Sequence, residues 1–167
     1  ARLPETGPIS EDLFQNIFLY GEGLRFIQAI RDEGGWEAVS QAFQDPPQST
    51  ALILTPERYI AGERKAEPIE VPLQAGEKLQ AQQIRGEYEV QWLFAANPNT
   101  RAQLPTLTES YIADTFAMIT TDGGQTMHRW VVELASPEAA TLLKEPFEAA
   151  LLFESGGMPV TILVDQS

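Results

Sequence analysis

The strongest constraint on the fold is a pair of β-rich runs, Ile112 to Thr121 and Gln125 to Ala135, flanking Asp122-Gly123-Gly124. Runs of this kind around a glycine-rich turn form an antiparallel hairpin. Because strand side chains alternate, a slip of one residue moves every apolar group to the opposite face. A three-residue loop with Gly124 left-handed pairs Thr121 with Gln125, and so Met118 with His128 and Phe116 with Trp130. One face then holds Ile112, Phe116, Met118, Trp130, Val132 and Leu134, and the other Thr115, Arg129 and Glu133. A two-residue loop would set Trp130 and Val132 beside Ala117 and Thr115, which sorts the side chains less well. The three-residue loop is the expectation.

An apolar sheet face needs a layer over it. Ser136-Pro137-Glu138 supplies an N-cap, a proline at the first helical position and an acid in the first turn. Ala139, Leu143, Phe147 and Ala150/Leu151 form the buried stripe of the helix that follows, with Pro146 expected to kink or restart it. Gly156-Gly157 should end that helix, and Val160, Ile162 and Val164 alternate as a last strand.

Upstream the period is helical. Ser10 is placed to cap a helix carrying Leu13, Phe14, Ile17 and Phe18 on one face. Gly21 and Gly23 predict a bend or break, after which Leu24, Ile27 and Ile30 resume the stripe. Gly34-Gly35 ends this helix. Trp36, Val39 and Phe43 mark the next, stopped by Pro46-Pro47. Ser49 or Thr50 caps one more turn through Leu52 and Ile53 that ends before Pro56. Residues 61–80 read as an extended connector in which Ile69, Val71 and Leu73 point inward as a short strand. Tyr88 to Ala96 fits a 3.6-residue repeat and is expected to be helical, and Asn97-Pro98-Asn99 a loop. The fold class is α+β: an N-terminal helical half of three to four helices, then a small antiparallel sheet with a packed C-terminal helix. The whole, 1–167, is expected to be a single domain, with a helical part 9–60, a connector 61–80 and an α+β part 81–167.

Composition narrows the chemistry. The 167 residues include no Cys and one His, and 24 Asp+Glu against 11 Lys+Arg give a net charge of −13. Disulfides, thiolate metal sites and a Cys nucleophile are excluded. The acidity argues against nucleic acid or an anionic membrane as a partner, and no apolar run approaches the ~18–20 residues of a membrane span. The chain begins at Ala1, which points to processing or to the choice of boundaries.

Every imidazole mechanism would pass through His128. The hairpin register places Asp114 opposite Val132, four residues along the strand, or ~13 Å away, so His128 is expected to be structural, packed beside Met118 and Trp130. The carboxylate pairs Asp32/Glu33, Glu63/Glu67 and Glu87/Glu89 can in principle serve acid–base chemistry or hold calcium, but a solvated acidic surface is the expectation. Gly21-Glu22-Gly23 lacks the third glycine of a dinucleotide fingerprint. Leu3-Pro4-Glu5-Thr6-Gly7 matches the LPxTG sortase pattern, but at the wrong end of the chain; coincidence or a cloning remnant accounts for it.

One stretch has a familiar order. Tyr20-x-x-Gly23, Phe26, Gly34-Gly35-Trp36-x-Ala38-Val39, Pro46-Pro47-x-Ser49-Thr50, Leu54-x-Pro56-Glu57-x-Tyr59, Val71-x-Leu73 and Gly86-Glu87-Tyr88 follow one another. This order resembles the C-terminal half of a bacterial HExxH (gluzincin-like) family of zinc metallopeptidase-like proteins, often exported or lipoprotein-anchored. The resemblance is good over residues 18–90 and collinear but weaker to about 150. It casts Gly34-Gly35 as a helix stop and Trp36 as a buried anchor contributing about 2–3 kcal/mol. The zinc-binding residues of the family lie upstream of anything matched here, so no catalytic, cofactor-binding or metal-ligating residue carries over, and no cofactor is expected. The resemblance implies a scaffold without its metal site, a fragment or a relative that lost the catalytic half. The expected function is a non-catalytic, extracytoplasmic scaffold or interaction module whose partner is another protein or a missing upstream domain. Phe14, Phe18 and Tyr20 are candidate contacts, or else part of the chain's own core. A carboxylate- or metal-dependent hydrolase is the alternative, and an acidic inhibitor docking on a basic partner a third reading.

Overall fold

The computed structural model of the chain describes residues 9–154 and 161–165, with side chains as far as Leu151. Ser10 caps α1 (Glu11–Asn16), its Oγ accepting the Leu13 N–H at 3.2 Å. The chain then passes without a break into a π-helical segment, Ile17–Glu22, and on into α2 (Gly23–Gln44). The expected interruption at Gly21 is therefore a change of helical register: the Gly23 N–H reaches back five residues to the Phe18 carbonyl. That wider turn rotates everything after it. Phe26 and Ile30 face the core, whereas Leu24, expected inside, is exposed.

Gly34-Gly35 does end the first part of α2. Gly35 has φ 66° and ψ −163°, a backbone that side-chain-bearing residues rarely adopt, and it sets the second part at a new angle. On that second part Val39 and Ala42 are buried, but Trp36 and Phe43 are not. The expectation of a buried Trp36 anchor is overturned: the residue is 69% exposed, with none of the described elements covering it. Ser49 caps α3 (Thr50–Leu54) by accepting the Ala51 N–H at 3.3 Å, and Pro56 opens α4 (Pro56–Ile60). Phe26, Ile30, Val39, Ala42, Leu52 and Tyr59 form the core of this half.

Residues 63–74 cross the sheet without regular structure; the strand expected at Ile69–Leu73 is not formed. Val71 is nevertheless buried, and the Ile69 N–H donates to Thr115 Oγ1 at 2.8 Å. The strand lies later, as β1 (Glu77–Gln83), an exposed polar edge that was not foreseen. β2 (Tyr111–Thr121) and β3 (Thr126–Leu134) form the hairpin with Phe116 opposite Trp130 and Met118 opposite His128, and Gly124 has φ 74°, as the three-residue loop requires. A bulge between Tyr111 and Ala113 leaves Ile112 exposed, although it was assigned to the apolar face. β4 (Thr161–Asp165) extends the order β1-β2-β3-β4 and runs parallel to β3. Three antiparallel strands thus carry a fourth, parallel one across a helical crossover.

α5 (Glu87–Ala96) is helical as expected. A short turn (Arg101–Gln103) and α6 (Leu104–Ser110) follow, neither of them anticipated. Ser136 Oγ accepts the Ala139 N–H at the start of α7 (Pro137–Glu154), and Pro146 lies within α7 without ending it. α5 and α7 pack on the Trp130, Val132 and Leu134 face around Phe94 and Phe147, rings edge-on at 4.7 Å. On the other face Ala117, Ile119 and Val131 lie under Ile69 and Val71, and Arg129 forms a bidentate pair with Glu77, both bonds 2.9 Å. Gly156-Gly157, Val160 and the Leu3–Gly7 motif lie outside the described residues.

Candidate functional site

The loop entering α5 is fixed by one buried carboxylate. Asp114, fully buried on β2, accepts the Arg85 N–H (3.1 Å), the Gly86 N–H (2.8 Å), the Tyr111 hydroxyl (2.6 Å) and the Trp130 indole N–H (2.8 Å). Four donors on one carboxylate hold strand and loop in one arrangement. Burial first, and then Asp114, pushes the Tyr111 hydroxyl far above its ordinary range, so it remains a donor. Gly86 has φ 85°, and a Cβ there would lie 2.5 Å from Thr50 Oγ1. Only glycine lets the loop come this close to α3.

Asp114 and Gly86 place Glu87 at the first position of α5, and there it is 2% exposed. Gln91 Nε2 donates to its Oε1 at 2.8 Å and also to Thr108 Oγ1 at 3.1 Å, tying α5 to α6. Burial pushes the Glu87 carboxyl up to about 7; the Gln91 bond and the charges of Arg58 and Arg25 oppose the rise, and Glu22 adds to it. The expectation that Glu87 is solvated is overturned. Its side chain is buried at the start of α5, held by Gln91 and acted on by the charges of Arg58, Arg25 and Glu22.

Gln91, the hydrogen-bond partner of Glu87, lines a cleft of about 330 Å³ that Glu87 itself does not reach. Phe14, Ile17 and Phe18 form one wall, Tyr88 and Gln91 of α5 a second, and Leu104 and Thr108 of α6 a third. The π-turn shapes it: residues five apart stack in this register, so Glu22 joins Ile17 on the cleft side. Phe18 and Tyr88 meet at 4.7 Å and Phe14 and Trp92 at 5.4 Å, so these two phenylalanines belong to the chain's own packing. Arg25 Nη2 stands 2.9 Å from Glu22 Oε2, close enough for an ion pair but not aligned as a hydrogen bond, so this buried oxygen lacks a donor. A second groove, about 370 Å³, is lined by Ile30, Asp45, Tyr59 and Arg64, whose polar groups satisfy one another: Arg64 pairs with Asp45, and the Tyr59 hydroxyl donates to the Asp45 carbonyl.

Elsewhere the helical arm carries exposed apolar side chains on both sides of the Gly34-Gly35 kink. Leu19, Tyr20 and Leu24 are 54%, 75% and 58% exposed, and Phe43 is 78% exposed two turns beyond Trp36. Of the aromatics singled out as contacts, Phe14 is buried, Phe18 half-buried and Tyr20 outward.

The other acid pairs do not converge. Asp32 pairs with Arg31, Glu63 with Arg58, Glu67 with Lys65, and Glu89 with Arg85. His128 stands opposite Met118, as the register predicts, but it is exposed rather than partly buried, and it stacks on Phe116 at 5.2 Å. Among the described residues no three His, Asp or Glu side chains gather as a metal-ligand set, and no helix is long and apolar enough to cross a membrane. Glu87, Glu22 and Asp114 were not read as a site from the sequence. One signal was available: the hairpin register puts Asp114 on the helix-covered face, where a carboxylate must find donors. Compared with protein-family models, with curated proteins and with solved structures, the chain finds no match.

Proposed function

We propose that this chain is a non-catalytic interaction module that docks another protein through the outward face of its N-terminal helical arm. The observation that carries the reading is the exposure of Tyr20, Leu24, Trp36 and Phe43 along one helical arm, none of them a member of the core formed by Phe26, Ile30, Val39, Ala42, Leu52 and Tyr59. Large aromatics at such density on one arm mark docking surfaces. A Trp and a Phe covered by a partner remove roughly 100–150 Å² each from water, or about 3 kcal/mol apiece before the costs of association. The net charge of −13 works against nucleic acid or an anionic lipid surface as that partner. An extracytoplasmic setting rests on the family resemblance alone.

The reading is tested by sedimentation velocity and thermal melts of the full chain beside W36S/F43S. An unchanged melting temperature marks both rings as surplus to the fold. A drop of more than a few degrees would show that they serve the chain's own stability, and the proposal would fail.

A hydrolase is the second reading, favoured by Glu87, a buried carboxyl bonded to Gln91 at the wall of the cleft and raised to about 7, the range a general acid or base needs. Chromogenic ester and glycoside substrates turned over by the native chain and not by E87Q would support it.

A further inference from the structure

Independently of the docking face, we propose that the cleft between the π-helical segment and α5–α6 is a binding site for a small apolar ammonium compound: an aromatic or branched alkyl body carrying one protonated amine. Three observations converge on this class. The volume, about 330 Å³, lies at the lower end of small-ligand sites and suits a body of one ring. The walls are apolar and aromatic, with Phe14, Phe18 and Tyr88 presenting ring surface that accommodates both an apolar body and a cation. The charged groups lining the cleft are Glu22 and Glu109, with no Lys or Arg among its lining residues.

The polar end is built for a donor. Glu22 Oε2 is buried and accepts no hydrogen bond, since Arg25 approaches it out of line. Gln91 spends its amide N–H groups on Glu87 and Thr108, and its carbonyl oxygen accepts from no described residue. An ammonium in the cleft offers three N–H donors to these acceptors. A carboxylate or phosphate offers none and would face Glu22 with like charge. An uncharged alcohol fits the walls but brings a single O–H donor and no charge to the acceptors at the polar end.

The test is a titration of the full chain, followed by amide chemical shifts and by calorimetry, with three probes of one size: 2-phenylethylamine, 3-phenylpropionate and 2-phenylethanol. The amine is expected to bind saturably, shifting the amides of Phe18, Glu22, Tyr88 and Gln91. The two other probes should bind at least tenfold more weakly. Glu22→Gln keeps the shape and the fold, and should weaken the amine at least tenfold without affecting the alcohol; Tyr88→Leu should weaken both. Equal binding of the three probes, amine shifts elsewhere than on the cleft, or no saturable shift at millimolar amine would each overturn the assignment. None of these results bears on the docking face, whose test reads Trp36 and Phe43.

Discussion

Replacing Glu87 by glutamine should stabilise this protein, and only above mildly acidic pH. The carboxyl is 2% exposed, and burial raises it from its ordinary value of 4.5 to about 7. Between those values the folded chain holds a proton that the unfolded chain has released. Stability from the neutral carboxyl is therefore complete below about 4.5, declines as pH rises, and is lost above about 7. At about 1.4 kcal/mol per pH unit the full displacement, net of the opposing Gln91 bond and the Arg58 and Arg25 charges, corresponds to about 3 kcal/mol. Glu87→Gln keeps the oxygen that accepts from Gln91 and carries no charge at any pH. The native chain and the variant should melt together near pH 4. At pH 8 the variant should melt higher by up to roughly 6–12 °C, at about 2–4 °C per kcal/mol for a chain of this size. The readout is the difference between two circular-dichroism melts at each pH, in which the other titrating groups cancel. A variant no more stable than the native chain at pH 8 would refute the reasoning, because the charged carboxylate would then be fully compensated in place.

Other consequences follow from single side chains. Asp114→Ala strands the Tyr111 hydroxyl, the Trp130 indole and two backbone N–H groups, and should cost about 3–5 kcal/mol in denaturant melts; a cost under about 1 kcal/mol would mean that water replaces the carboxylate freely. Gly86→Ala places a Cβ 2.5 Å from Thr50 Oγ1 at φ 85°, and should cost about 1–3 kcal/mol, read as a lowered melting temperature. The Arg129 guanidinium holds the Glu77 carboxyl below its usual range, so the stability from this pair is present above about pH 4.5 and lost as pH falls through the lowered value. E77Q should flatten that acid limb of the stability curve, and an unchanged limb would count against the pair.

How far the sequence leads depends on what each element relies on. The hairpin was legible because period-two alternation and the turn residues around Gly124 specify register locally, and Phe116 does face Trp130. α7 was legible from Ser136-Pro137-Glu138. β1 was not: Glu77 to Gln83 is almost all polar, and its strand conformation comes from pairing with β2. α6 was missed because Leu-Pro-Thr-Leu-Thr-Glu-Ser contains weak helix formers, and its Leu107 is fully buried only through tertiary packing. Periodicity put Trp36 and Phe43 on one side of a helix but could not say whether anything covers that side. The π-segment, with no local signature beyond two glycines, re-aims Leu24 outward and Glu22 toward the cleft. Glu87 was unreadable for a similar reason, since its burial comes from the tertiary packing of α5 against α3, α6 and β2, which no local pattern announces.

The central claim, that the outward face of the helical arm docks a protein, is met most directly by site-specific photo-crosslinking. A benzophenone side chain at position 36 or 43 of the full chain, activated in its native host, should give one discrete adduct. Excess unlabelled chain should compete that adduct away, and the exposed Lys144 position on α7 should give none. Equal labelling from positions 36, 43 and 144, or no adduct from the first two, would contradict it.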